Sequence, residues 1–137
     1  MTIEQTARAF FEACETGGGW EACREFCHDD ARFDCQADAL AGTTTVAAYA
    51  GWMKGLLTPV PDGRYTLTAF AVDAGRASVV ATAVFRGTQT GPGGPGAPTG
   101  RAVASDYAYV MRLEGGRIAH MTKIWNDVHA LRQLGWA

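Results

Sequence analysis

Apolar residues recur at Ile3, Ala7, Phe10, Phe11 and Cys14, the spacing of one face of an α-helix. Thr2 and Gln5 stand three apart ahead of that stripe, the spacing of a capping box, and Gly17-Gly18-Gly19 ends the helix. A short second helix is expected over Trp20–Phe26, and a short strand over Arg32–Gln36. Thr43 or Thr44 then caps a third helix running to about Leu57, with Val46, Tyr49, Ala50, Met53, Leu56 and Leu57 on one side and Trp52 at its margin. Pro59 and Pro61 remove backbone donors and stop it.

Beyond Gly63 the period changes from that of a helix to that of a strand. Arg64–Val72 alternates, with Tyr65, Leu67, Ala69 and Ala71 on one side and Thr66, Thr68, Phe70 and Val72 on the other, which implies that both sides are largely covered. A second strand, Arg76–Thr90, points Val79, Ala81, Ala83 and Phe85 the same way. The Gly/Pro-rich stretch at 91–100 lacks the lysine and helix start of a phosphate loop, and is expected to be a mobile loop at a pocket mouth or a subunit contact.

The last third of the chain is a hairpin about Gly115-Gly116. A two-residue turn pairs Glu114 with Arg117 and sets every later pair. One face then collects Leu113/Ile118, Met111/His120, Tyr109/Thr122 and Tyr107/Ile124, a bulky surface suited to packing and to a homodimer through Tyr107, Tyr109 and Met111. The other collects Val110/Met121, Ala108/Lys123, Asp106/Trp125 and Ala104/Asp127, small residues beside two carboxylates, a lysine and a tryptophan. On that register Asp106 lies across from Trp125 and diagonal to Lys123 and Asp127, which reads either as an acid–base constellation in a pocket or as a solvent-facing ion pair on an exposed sheet face, with Trp125 and Met121 poorly suited to open solvent. A slip of one residue in the pairing would exchange the faces of one strand.

Composition narrows the classes. At 137 residues one domain, 1–137, can bury a full core. Twelve basic against fourteen acidic side chains, a net charge of -2, leave no basic footprint for nucleic acid or an anionic membrane. No leader-like segment opens the chain and no apolar run approaches a membrane span, so the cytoplasm is expected. In that reducing compartment Cys14, Cys23, Cys27 and Cys35 read as free thiols. Cys23, Cys27 and His28 are too few for a structural zinc site, which takes four ligands, and no metal is expected. His28, in a turn leading into a strand, is a candidate catalytic imidazole; His120 reads as a satisfied interface histidine.

The order of elements, together with PTGRAV, GGRI, IWND and LRQLGW, resembles the SnoaL-like polyketide cyclase family of the nuclear transport factor 2-like superfamily. That resemblance implies an α+β conical, barrel-like fold, with three N-terminal helices packed on a curved antiparallel sheet. It also implies an aspartate near the end of the last strand as general acid/base, with no metal or cofactor, in an intramolecular aldol ring closure. The candidate is Asp127, although counting back from Gln133 reaches Asn126. GRIAHMTKIWNDV is also similar to the last strand of ketosteroid isomerase, which implies that Met121 and Trp125 face a pocket together with Lys123. Cys35 stands where that enzyme has its base, which disfavours steroid isomerisation.

The resulting expectation is a cofactor-independent cyclase or isomerase acting on a small hydrophobic carbonyl compound. Asp127 or Asp106 would be the acid/base, Lys123 or His28 the oxyanion stabiliser, and Trp52, Met121 and Trp125 the pocket lining. The alternative is a non-catalytic ligand-binding or dimeric interaction module of the same fold.

Overall fold

A computed structural model describes residues 1–137. Helix α1 (Ile3–Glu15) begins with the expected capping box: Gln5 N–H donates to Thr2 Oγ1 at 3.1 Å and Thr2 N–H to Gln5 Oε1 at 2.9 Å. Its stripe of Ala7, Phe10, Phe11 and Cys14 is buried. Glu15 falls four residues after Phe11, on the same stripe, and is buried with it. Helix α2 is only Gly19–Cys23, followed by a 3-10 turn at Arg24–Phe26. Strand β1 (Cys27–Cys35) starts earlier than expected, and α3 (Val46–Leu56) is capped by Thr45, which accepts the Ala48 N–H at 3.1 Å.

Four strands follow: β2 (Arg64–Asp73), β3 (Ser78–Thr88), β4 (Ala102–Glu114) and β5 (Arg117–Trp125). The sheet order is β1-β5-β4-β3-β2. Neighbours from β2 to β5 are antiparallel, while β1 joins the edge of β5 in parallel. Helices α1 and α3 cover the inner face of the curved sheet, so the fold is the α+β cone expected. Val79, Ala81, Ala83 and Phe85 of β3 face the core together. All four cysteines are free; Cys14, Cys23 and Cys27 are buried. No helix is long and apolar enough to cross a membrane.

Two bulges overturn the simple alternation. The Gly115-Gly116 turn pairs Glu114 with Arg117 and Leu113 with Ile118, but the next pair is Arg112/His120, leaving Ala119 as an extra residue in β5. From there each β5 residue meets a partner of opposite parity to the simple count: Met121 pairs with Met111, Lys123 with Tyr109 and Trp125 with Tyr107. The two faces expected of the hairpin are therefore redistributed. Tyr107, Tyr109 and Met111 share the inner face with Met121, Lys123 and Trp125 and are buried in the chain's own core, so they are not a dimer surface. In β2 a second shift, between Leu67 and Ala69, turns Phe70 inward beside Tyr65 and Leu67. The helices cover only the inner face, so Ala69 and Ala71 on the outer side of β2 are exposed rather than covered, and Val72, opposite Val79 near the end of this edge strand, is exposed too.

A fourth helix, α4 (Asp127–Leu134), closes the chain over the end of the sheet. Asn126 caps it by accepting the His129 N–H at 3.2 Å, and Gly135 ends it with φ of 77°, a left-handed position that suits glycine. The Gln133-Leu134-Gly135 run has a physical role at each position. Gln133 Oε1 accepts the Ala104 N–H at 2.8 Å, Leu134 is buried, and the Leu134 carbonyl accepts the Thr99 hydroxyl at 2.7 Å.

Candidate active site

An apolar cavity of about 370 Å³ lies between the inner face of the sheet, the C-terminal halves of α1 and α3, and α4. That volume is within the usual range of small-molecule sites. Phe85, Val103, Ser105, Tyr107, Lys123 and Trp125 come from the sheet, Trp52, Met53 and Leu56 from α3, and Ala130, Leu131 and Leu134 from α4. Gly93, Gly94 and Pro95 join Trp136 at its rim, so the Gly/Pro-rich loop borders the pocket as expected. Buried Gln89 holds that loop at its base: its amide donates to the Gly91 carbonyl at 3.0 Å and its Oε1 accepts the Thr99 N–H at 2.5 Å.

At one end of this cavity the apolar lining gives way to Glu15, Lys123 and Tyr107. Lys123 is inward only because of the extra residue at Ala119. Its ammonium sits 4.4 Å from the ring centroid of Trp125, 5.0 Å from those of Tyr49 and Trp52, and 5.2 Å from that of Tyr107, distances at which cation–π attraction replaces part of the lost hydration. Trp52 and Trp125 meet edge to face at 5.7 Å, and the Trp125 indole donates to Ser105 Oγ at 2.9 Å, which fixes the cage. Lys123 Nζ donates to the Tyr49 hydroxyl at 3.0 Å. Tyr49 and Tyr109 share a 2.8 Å hydroxyl contact, and the Tyr109 hydroxyl donates to Glu15 Oε2 at 2.6 Å. Four buried polar groups thus form one continuous chain from Nζ to carboxylate.

Burial dominates the electrostatics of that chain. It pushes the Glu15 carboxyl above its ordinary range, opposed by the Lys123 charge and the neighbouring Tyr107 and Tyr109 phenols. It also pulls Lys123 below its ordinary range, opposed chiefly by Glu15. The phenols of Tyr49, Tyr107 and Tyr109 are all pushed up, first by burial, so they stay protonated and act as donors or relays. Tyr107 lines the cavity with a buried hydroxyl that lies close to Glu15 but makes no well-formed hydrogen bond. Such an orphan costs about 1–3 kcal/mol, and an acceptor arriving in the cavity would recover that.

The expected site residues divide sharply. Lys123, Trp52 and Trp125 line the cavity, whereas Met121 is fully buried in the core beside them. Asp106 is exposed on the outer face of the sheet, beside Thr82, Val84 and Ile124, because the bulge moves Trp125 and Lys123 to the other side. Asp127 is buried at the start of α4, where its carboxylate accepts the Ala39 and Val128 N–H groups, each at 2.9 Å. It fastens α4 to the turn at 38–40 and borders a second groove, on the other side of Lys123 and Trp125 from the cavity they also line. Asn126, the alternative position, is spent on its helix cap. His28 donates to or accepts a proton at no cavity group: its Nε2 lies 2.6 Å from the Glu114 carbonyl, near the start of β5. Five residues of strand, roughly 16 Å, separate that end from Lys123. His120 pairs with Asp34 at 2.7 Å across β1 and β5. The structure therefore does not bring all three of Asp106, Asp127 and Lys123 into the cavity: Asp106 lies on the outer face, and Asp127 meets Lys123 only along the second groove. Glu15, Tyr49, Tyr107 and Tyr109 take part instead; the one sequence signal for them was a glutamate on an otherwise apolar helix face.

The model of the SnoaL-like polyketide cyclases matches residues 5–134. Among solved structures, IdmH from Streptomyces antibioticus is similar, with a TM-score of 0.80 and 24% identity over 98% of this chain and 99% of that one. AclR from Streptomyces galilaeus follows at 0.78 and 15%, covering 98% of this chain and 82% of its own. A nuclear transport factor 2-like protein of unknown function from Burkholderia pseudomallei has a TM-score of 0.71 and 16% identity over 98% of both chains. At these identities the likeness is one of fold. No curated protein matches the sequence.

Proposed function

The chain belongs to the SnoaL-like polyketide cyclase family, and from that premise we propose that it is a small-molecule cyclase or isomerase that moves a proton next to a carbonyl. The observation that carries this reading is the hydrogen-bonded chain of Lys123, Tyr49, Tyr109 and Glu15 opening into an aromatic cavity. An acidic C–H beside a carbonyl needs a base to take the proton and a donor to hold the charge that develops on oxygen. Glu15, whose carboxyl burial raises above its ordinary range and which borders the cavity, is the base. Lys123 is the group that meets the carbonyl carbon or oxygen, and the unpartnered Tyr107 hydroxyl donates to the oxygen. The tryptophans exclude water and select flat, apolar substrates.

On this reading the acid–base role belongs to groups inside the cavity rather than to Asp127 or Asp106. Purified protein assayed with aromatic β-keto esters should keep turnover in Asp106→Asn, and should lose about 10²–10³ in kcat in Tyr107→Phe, the usual effect of one oxyanion donor. Loss in Asp106→Asn with Tyr107→Phe unaffected would overturn the assignment. A non-catalytic module predicts no turnover in the parent protein and a ligand retained under native mass spectrometry.

A further inference from the structure

We propose that Lys123 is a nucleophilic amine that binds aldehyde or ketone substrates covalently, as an iminium, in the aromatic cavity. This rests on the carbonyl reading above and specifies how Lys123 engages the substrate.

The first observation is the choice of residue. The chain has ten arginines and only two lysines, Lys54 and Lys123. Lys54 is exposed, whereas Lys123 is buried and lines the cavity. Where only a buried positive charge is wanted, arginine serves with its planar fork; an amine is needed where the proton has to leave. The second is the setting of Nζ. It makes one hydrogen bond, to Tyr49, and no carboxylate lies within ion-pair distance, so aromatic faces surround a group that could donate three. Such a desolvated pocket is the environment that turns lysine into a nucleophile.

The third observation is an outlet for the proton. In one state the Lys123 ammonium donates to Tyr49, Tyr49 to Tyr109, and Tyr109 to the Glu15 carboxylate. Moving each hydrogen one step along gives a neutral amine accepting from Tyr49, and a neutral carboxylic acid donating to Tyr109. The same three contacts serve both states, with no side chain required to move. Burial disfavours both charges and so draws the pair toward the second state, against the attraction of Lys123 and Glu15 that favours the first.

The chemistry then closes. The amine nitrogen attacks the carbonyl carbon to give a carbinolamine, whose oxygen is held by Tyr107. The carbon–oxygen bond breaks, the proton stored on Glu15 leaves with that oxygen as water, and the nitrogen keeps one hydrogen as the iminium. A neutral acid, a primary amine and a carbonyl become a carboxylate, an iminium and water, with hydrogens and charge in balance. The carboxylate thus produced is the base for the α-hydrogen, and removing it gives an enamine, the carbon nucleophile that an aldol-type ring closure requires.

The test uses the parent protein and benzoylacetone, a 1,3-diketone small enough for the cavity that forms a stable enaminone with a neutral amine. Intact-mass measurement at neutral pH should show one added probe less one water, and peptide mapping should put it on Lys123. Tyr49→Phe, which cuts the proton outlet, should slow its formation at least several-fold. An adduct confined to Lys54 or the chain amine, or no adduct, would overturn covalent binding. Turnover retained in the same sample would show that the acid–base reading survives that failure.

Discussion

Replacing Glu15 by glutamine is expected to lower kcat/KM by about 10²–10⁴, the contribution of one positioned acid–base group. The replacement keeps the shape of the side chain and an oxygen acceptor for the Tyr109 hydroxyl, so the chain from Tyr109 through Tyr49 to Lys123 can remain in place. What it removes is the ability to take up and release a proton inside the cavity. The loss should fall mainly on kcat, because glutamine leaves the tryptophan and α4 walls that bind an apolar substrate unaltered. A loss confined to KM, with kcat intact, would mean that Glu15 only shapes the pocket.

The second large effect concerns stability. Glu15→Leu leaves the Tyr109 hydroxyl without its carboxylate acceptor and Lys123 without its nearest balancing charge. Lys123→Met leaves Tyr49 and the Glu15 carboxyl in the mirror situation. Each single change is expected to cost about 1–3 kcal/mol, the penalty for stranding a buried polar group. The double variant should cost less than the sum, by about 0.5–3 kcal/mol. Its pH dependence follows from the two shifts. Glu15 is raised in the folded state, so the stability it contributes is present below the unfolded value of about 4.3 and is lost as pH rises through the folded value. Lys123 is lowered, so the penalty on its ammonium is relieved as pH rises from its folded value toward about 10.4. The parent protein should therefore be least stable, relative to the double variant, near neutrality. Urea unfolding across the pH range checks this; a difference that does not vary with pH would contradict it.

Much of the architecture was written in local pattern: the Thr2–Gln5 box, the α1 and α3 stripes, the inward run of β3 and the Gly115-Gly116 turn all stand as read. The site was harder to read, for one physical reason. Counting pairs outward from a turn assumes an unbroken ladder, and a single extra residue at Ala119 reverses the parity of everything after it. That moved Lys123 and Trp125 onto the aromatic face and left Asp106 outside. The likeness of the last strand to a known pocket strand pointed Lys123 and Trp125 inward, where they line the cavity. Glu15 and the three tyrosines lie on separate elements, and only the folding of α1 and α3 over β4 brings them to Lys123. A composition-neutral signal, one carboxylate on an apolar stripe, was all the sequence offered for that meeting.

On the proposed mechanism Lys123 and Glu15 share a proton across Tyr49 and Tyr109. With two lysines in the chain, selective labelling of lysine side chains leaves two NMR signals to follow through a pH titration, and Lys123→Met assigns them. The Lys123 signal should titrate below the ordinary lysine value, and lower still in Glu15→Gln, where the carboxylate that favours its charged form is gone. A Lys123 signal that titrates as an ordinary lysine, and does not respond to Glu15→Gln, would mean that the two groups do not share a proton.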